Sequence, residues 1–418
     1  MYNTAQQEHT LPRSLIFLMA SGTGFAVASL YYAQPILSLL AADLRASDRA
    51  VGMIPTLTQL GYALGILLLS PLGDRHDRRQ IILMKTVILA ISLVVCGMAC
   101  GIGFMMGASL LMGISATLAQ DVVPAAAHLA PQQSRGKVVG TVMTGLLLGI
   151  LLSRVVSGVV AEQYGWRVVY DAAALSIALF GVLAWKYLPH FSVSTQLSYA
   201  SLLASMKNLW REHSALRQAS YAQGLLSMGF SAFWTTLALM LHHTFHLESS
   251  VAGAFGLAGA AGAIAAPLAG RMADRRTPDL VARLGCAIAA VSFAATGFSV
   301  LLSLKARLVL LAMVAIGFDF GVQSSLVAHQ TIVFGIAPKA RSRANALLVT
   351  CMFLGMAAGS VLGSIVLARW GWSGVMAFAT ATSAGAFVVR LRKGHASSKQ
   401  ASIAIPLCSC SNVNGGIV

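Results

Sequence analysis

Three charged side chains stand where charge is most costly, and they raise the first question about this chain. Asp121, Arg154 and Asp319 each lie well inside a long apolar run. Inserting such a residue at the centre of a bilayer costs roughly 2.5–3.5 kcal/mol on translocon scales, so a functional reading is the default. A carboxyl in a low-dielectric cavity is suited to carrying a proton, and an arginine facing a carboxylate can form a pair that makes and breaks. Helical rise puts Asp121 about 15 Å from the loop at Pro131 and Arg154 about 25 Å past Lys137. Asp319 is about 25 Å from Ile336, so Arg154 and Asp319 share a depth. The plainer alternative gives each charge a partner nearby in its own part of the chain, with Asp121 satisfied by neighbouring hydroxyls.

A second concentration of charge lies at a helix end. Ser70-Pro71-Leu72-Gly73-Asp74-Arg75-His76-Asp77-Arg78-Arg79 packs two acids among three arginines. Asp74 there can meet a helix N-terminus or an arginine of a neighbouring helix, which would latch that side of the molecule closed. Arginines in such a loop could also do no more than fix topology. A second copy, Gly270-Arg271-Met272-Ala273-Asp274-Arg275-Arg276, favours the latch.

Other groups inside apolar runs could touch a solute: Gln34, Gln59, Gln223, Gln323 and His329, with Tyr31, Tyr32 and Trp234. For any single one, packing is the plainer reading. His242 and His246 are four apart, but no third ligand has suitable spacing, so no metal site is expected. Gly136-Lys137 is followed by valine and lacks the first glycine of a phosphate loop. There is no nucleophile elbow and no zinc-protease helix motif. The chain is therefore not expected to be an enzyme or to hold a cofactor. Its cysteines are scattered and read as small packing residues.

The elements that carry these groups follow from composition. Of 418 residues, 57% are hydrophobic and only 10% charged, against about a quarter charged in soluble domains. Mean hydropathy is +0.76. Such a chain cannot cover a globular surface with polar groups, so its solvent is lipid. The net charge of +16 would point to nucleic acid in a soluble protein. Here the basic residues fall in loops between apolar runs, so no nucleic-acid partner is expected.

Runs of spanning length are expected at 14–40, 50–72, 81–100, 104–127, 138–162, 168–188, 219–241, 251–270, 280–303, 308–336, 346–369 and 373–389. The first is too long for a signal-peptide core and reads as an uncleaved helix. The last is short, ending before Arg390. Loop charge sets the orientation. With the N-terminus cytoplasmic, most lysines and arginines are inside, leaving Arg45, Arg49, Arg167, Lys305, Arg307 and Arg369 outside. Both termini are then cytoplasmic. The interval 189–218 is the longest polar one, and its Leu202, Leu203, Met206, Leu209 and Trp210 fit an amphipathic helix on the membrane face.

The chain also repeats. Asp74-Arg75 matches Asp274-Arg275 at an offset of 200 residues, while Arg135, Gly149 and Gly165-Trp166 match Arg341, Gly355 and Gly371-Trp372 at 206. Duplicated bundles about a central site are a recurring plan in secondary transporters. The expected organisation is 1–188 as one six-helix bundle, 189–218 as a cytoplasmic linker, 219–391 as a second bundle and 392–418 as a tail.

The paired loops resemble the signature between helices two and three of the major facilitator superfamily and its echo between helices eight and nine. Gly140, Gly149, Ser153, Arg154, Ser157 and Gly158 fall at the spacing of the fifth-helix motif of its drug/proton antiporters. Tyr31-Tyr32-Ala33-Gln34-Pro35 and Gly145-Leu146-Leu147-Leu148-Gly149 are similar to bacterial efflux-type members. There are departures. Ser70 and Asp77 stand where the loop motif has glycines, and Arg154 and Ser157 replace a proline and a glycine. Ser109 lies near the place of a fourth-helix arginine that many proton antiporters carry.

The resemblance implies an all-α membrane protein of about twelve transmembrane helices in two pseudo-symmetric six-helix bundles, monomeric, in a bacterial inner membrane. It implies a transporter working by alternating access, exporting a small molecule against protons. Uptake, or sugar or amino-acid export with different coupling, is the alternative, and an inactive relic is a third reading. Asp74, Arg75, Arg78, Arg79, Asp274, Arg275, Gly149 and Gly158 would serve gating. Asp121, on a fourth helix that lines the cavity in the superfamily, would carry the proton. Helices five and ten lie near one another in that fold, so an Arg154–Asp319 pair would hold the outer side closed.

Overall fold

The computed structural model describes residues 11–192, 198–336 and 340–392, less the side chains of Asp74, Ala261, Ala263, Asp274 and Val300. The tail beyond residue 392 lies outside the described residues. Those described form helices and no strand. Ten of the helices are long and apolar enough to cross a bilayer.

They follow a shorter apolar helix, α1 (Arg13–Ala28), and begin with α2 (Asp48–Leu69), α3 (Arg78–Gly97), α4 (Ile102–Leu129), α5 (Arg135–Tyr164) and α6 (Trp166–Tyr187), then α7 (Ser214–Phe245), α8 (Ser249–Ala273), α9 (Pro278–Ser299) and α10 (Leu304–Ile336). A final helix, Arg341–Leu391, bends at Gly371, giving α11 (341–370) and α12 (372–391). Apolar side chains such as Leu175, Val182, Val291 and Met313 are well exposed on these helices, a surface suited to lipid. α1–α6 pack around one core, which includes Tyr62, Met112 and Tyr170, and α7–α12 around another built on Phe233, Phe293 and Phe318.

Local chemistry sets the boundaries. The Asp77 carboxylate caps α3 by accepting from the Arg79 backbone N–H, and the Thr277 hydroxyl caps α9 from the equivalent place, accepting from Leu280. Such caps satisfy amides that the first helical turn leaves without partners. Gly165 and Gly371 have φ of +88° and +64°, a region open to glycine and strained for other residues. They turn α5 into α6 and α11 into α12, so the repeated Gly-Trp pair is a repeated corner.

Two expectations change. The first apolar run is not one helix: α1 stops at Ala28, an irregular turn and a 3₁₀ segment at Gln34–Ile36 follow, and Leu37–Asp43 resumes. Pro35 has no backbone N–H to continue the ladder, and the break turns Tyr31 and Gln34 inward. The last helix is not cut short at Arg390. It runs to Leu391 with Arg390 buried, donating to Asp279 at the start of α9 and to Gln218 on α7.

The amphipathic helix forms at Tyr199–Glu212 and buries Leu202 and Met206. It touches both bundles: the Tyr199 hydroxyl donates to the Leu68 carbonyl, and Arg343 donates to the Ser205 hydroxyl.

Candidate functional site

The two bundles meet chiefly at the end remote from the termini. There α5 packs on the first turns of α8, and α2 packs on α11. The Ser249 hydroxyl donates to the Gly158 carbonyl (3.0 Å) and the Ser360 hydroxyl to the Gly52 carbonyl (3.1 Å). Ser250 N–H donates to Glu162, and His243 to Asp48 (3.1 Å). Nearby, Asp43 accepts from Arg167 and the Trp166 indole, and those donors hold its carboxyl below the usual carboxylate range. Toward the termini, α4, α10 and Ala260–Arg275 make no extended contact with the opposite bundle among the described residues. The molecule is closed at one end and parted at the other.

Arg154 lies at the base of the closed seam. Its Nε donates to Gln34 Oε1 (2.8 Å), and its guanidinium carbon lies 4.2 Å from the Trp234 ring centre and 4.7 Å from that of Tyr31. Tyr31 and Gln34 come from the broken first span and Trp234 from α7, so the cation joins three elements of two bundles. Cation–π contact of a desolvated guanidinium is worth about 2 kcal/mol. α8 is distorted beside it as well, passing through a 3₁₀ stretch at Phe255–Gly259. Interrupted helices at a bundle seam are where transporters commonly hold solutes.

Asp319 of α10 faces this cluster, yet no Arg154–Asp319 ion pair forms. A Cβ added to Gly259 would lie 3.4 Å from Asp319 Oδ2 and 4.0 Å from Arg154 Nη1. The two charges therefore flank a bare glycine without touching. The expected direct pair is corrected on this point. Arg154 Nη2, Asp319 Oδ1 and Gln34 Nε2 are buried without a hydrogen-bond partner among the described residues, and the Trp234 indole faces the Asp319 carboxylate. Gln34, Pro35, Arg154, Trp234 and Leu237 pack closely here and leave no cavity large enough for a water molecule.

The remaining candidates disperse. Gln323 lies one turn from Asp319 along α10, against Gly262. Gln59 is buried and accepts from the Ser231 hydroxyl across the bundle boundary (3.1 Å). His329 is about 15 Å further along α10 and donates to Gln223 within the second bundle.

Asp121 is not with Arg154 and Asp319. It forms an ion pair with Lys85 of α3 at 2.6 Å, with both side chains buried. A Cβ on Gly73 would fall 2.9 Å from Asp121 Oδ1 and 3.6 Å from Arg78 Nε, so this carboxylate belongs to the loop cluster. Lys85 was the residue that motif spacing passed over. Its signal was depth, because a lysine seven residues into α3 lies near the level of Asp121. Replacing Lys85 with methionine leaves a buried carboxylate without that cation and should destabilise the fold by about 3 kcal/mol. Adding Asp121→Asn should recover most of the loss, as read by unfolding in detergent micelles.

In the loop, Arg79 donates to His190 and to the Trp185 carbonyl, and Asp77 accepts from His190 (2.6 Å) and Phe191 N–H. Partial burial works against the charge of Asp77, but these bonds together hold its carboxyl below the usual range. They tie the loop to the end of α6. Arg75 and Arg275 are exposed, and the Asp74 and Asp274 side chains lie outside the described residues. A Cβ on Gly149 would meet the Gly24 carbonyl at 2.2 Å, within one bundle, while one on Gly158 would meet that of Ser249 at 2.5 Å, across the two.

A family model described as Major Facilitator Superfamily matches residues 19–328. The uncharacterized transporter YgaY of Escherichia coli O157:H7 is 39% identical over 371 residues, covering 88% of this chain and 92% of that one. Multidrug resistance protein MdtG of Proteus mirabilis is 24% identical over 381 residues, covering 86% and 90%. Among solved structures, a D-xylose–proton symporter superposes with a TM-score of 0.73 at 16% identity, covering 91% of this chain and 97% of that one.

Proposed function

The chain belongs to the major facilitator superfamily, and from that premise we propose that it exports a small molecule in exchange for protons by alternating access. It is an all-α secondary transporter of the membrane and not an enzyme. Efflux, proton coupling, a bacterial inner membrane and cytoplasmic termini are our reading. Loop charge supports the orientation, under which the parted end faces the cytoplasm. The name of the MdtG relative supports export.

The observation that supports the coupling is that buried Arg154 and Asp319, on opposite bundles at the base of the closed seam, face one another without a direct ion pair. Two opposite charges separated by a bare glycine can change their separation and solvation when the bundles rock. Asp319 is then the group best able to take a proton from one side and release it on the other. We assign Asp121 instead to the loop cluster with Lys85, Arg78 and Arg79, which holds the terminal face of the first bundle together. In this reading 1–188 and 219–391 are the rocking bodies and 189–218 is the strap between them.

The test is a solute panel applied to proteoliposomes with an acidic interior and a pH-sensitive dye. A transported solute should alkalinise the interior as protons leave in exchange. Transport without proton movement would remove the coupling, and proton entry with the solute would replace exchange with symport.

A further inference from the structure

We propose that Thr235 is a positioning residue for the closed end of the molecule. It turns the Ser360 hydroxyl away from its own helix and onto the Gly52 carbonyl, and the two make a latch between the bundles that releases by side-chain rotation. The proposal rests on the reading that the bundles rock about this seam, and it names what holds the seam shut.

A hydroxyl inside a transmembrane helix has a ready partner in its own backbone. Those of Thr23, Thr58, Ser109, Thr236 and Ser364 donate to the carbonyl four residues earlier, at 2.7 to 2.9 Å. Such back-bonding is the usual arrangement for a serine or threonine within a helix. Ser231, Thr235 and Ser360 depart from it. Ser231 donates to Gln59 Oε1 (3.1 Å), Thr235 to the Ser360 hydroxyl (3.0 Å) and Ser360 to the Gly52 carbonyl (3.1 Å). The first and last of these bonds cross from one bundle to the other. All three side chains are fully buried, so water does not compete for the bonds.

The direction of the chain follows from its hydrogens. A hydroxyl has one to give. Ser360 commits its own to Gly52, so toward Thr235 it can only accept. That acceptance keeps the Ser360 oxygen turned to α7 while its hydrogen points at α2. Without the Thr235 donor, the Ser360 hydroxyl is free to turn back to the Met356 carbonyl of its own helix. Glycine at 52 lets the helices come this close, since a Cβ there would fall 2.1 Å from Ser364 Oγ. Release follows from the same chemistry. When the bundles part, Ser231, Thr235 and Ser360 can each rotate to the carbonyl four residues earlier in their own helix, and no donor is stranded. A buried ion pair pulled apart would leave charge uncompensated. Hydroxyls thus hold this end closed without opposing its opening strongly.

The test uses the full chain in lipid nanodiscs with spin labels at Arg49 and Glu248, exposed positions on opposite bundles at that end. Label distances report the ratio of closed to open molecules. Thr235→Val keeps the side-chain shape, removes the hydroxyl and should lower that ratio by about two- to tenfold. Ser360→Ala should lower it by a similar factor. The double variant should fall no further than Ser360→Ala alone, because Thr235 acts through Ser360. Thr235→Ser keeps the donor and should keep the wild-type ratio. Thr236→Val should keep it too, since that hydroxyl donates only within its own helix. A ratio unmoved by Thr235→Val, or losses that multiply in the double variant, would overturn the positioning role. The two readings fail separately. Two distance populations whose ratio ignores Thr235 and Ser360 would remove the latch and keep the rocking bundles. A single distance in the wild type and every variant would remove both.

Discussion

Arg154→Asp and Asp319→Arg, each made alone, should reduce gradient-driven flux by at least tenfold, and combining them should not restore it. Had the two residues formed a simple ion pair, exchanging the charges would rebuild it. The surroundings argue otherwise. Arg154 is held by Gln34 and by the faces of Tyr31 and Trp234. Those contacts are worth about 2 kcal/mol for the cation–π part and roughly 1.5–3 kcal/mol for a hydrogen bond to a charged group. An aspartate at 154 makes neither, and it adds a second carboxylate to a dry site. An arginine at 319 approaches the glycines of α8 and loses the contact that the carboxylate makes with the Trp234 indole. Each variant leaves buried charge uncompensated, at a cost of about 3–5 kcal/mol when a partner is lost. Flux in proteoliposomes under an imposed pH gradient is the measurement. Full recovery in the double variant would show that the two residues act as an exchangeable pair.

Gly158→Leu should trap the transporter away from the conformation described above. A Cβ at 158 would sit 2.5 Å from the Ser249 carbonyl and 3.1 Å from the Gly253 Cα, and both are backbone of α8 that cannot rotate aside. The leucine also separates Ser249 from the Gly158 carbonyl to which it donates. Overpacking of this kind costs about 1–3 kcal/mol, and about 1.4 kcal/mol is a tenfold change in an equilibrium constant. The closed end should therefore lose at least tenfold in population relative to a state open there, with transport falling in proportion. Spin labels replacing Asp48 and His243, which now touch across that end, should report a longer distance.

Gly149→Ala is the control. Its Cβ would clash with the Gly24 carbonyl at 2.2 Å inside the first bundle. Folding yield should fall there without a change in the 48–243 distance. An unchanged distance in Gly158→Leu would show that the α5–α8 crossing does not set the conformation.

The second bundle repeats the inner crossing. A Cβ on Gly355 would meet the Gly224 carbonyl at 2.1 Å, and Gly355 is the counterpart of Gly149 at the offset of 206. The seam is where this symmetry fails. The counterpart of Arg154 at the same offset is Ser360, which donates to the Gly52 carbonyl. One side of the seam thus carries a buried cation, and the other a hydroxyl bonded to the Gly52 carbonyl and to Thr235.

The membrane class, the all-helical fold and the corners at Gly165 and Gly371 were legible in the chain itself. They depend on local quantities: apolar run length, a positive φ that glycine tolerates, and a carboxylate or hydroxyl at a helix start. The shared depth of Arg154 and Asp319 was readable too, because helical rise turns residue number into distance. What spacing could not supply was azimuth, the side of each helix that a residue faces. Azimuth decides that Asp121 meets Lys85 and the loop rather than the cavity, and that Arg154 turns to Gln34, Tyr31 and Trp234. The break at Gln34–Ile36 and the 3₁₀ stretch at Phe255–Gly259 were hidden for a related reason. A broken helix in a bilayer persists only where neighbouring groups satisfy its backbone, so packing between the bundles had to decide where those breaks stand. Composition determined that the chain lives in lipid, and tertiary packing alone decided which of its buried charges face one another across the seam.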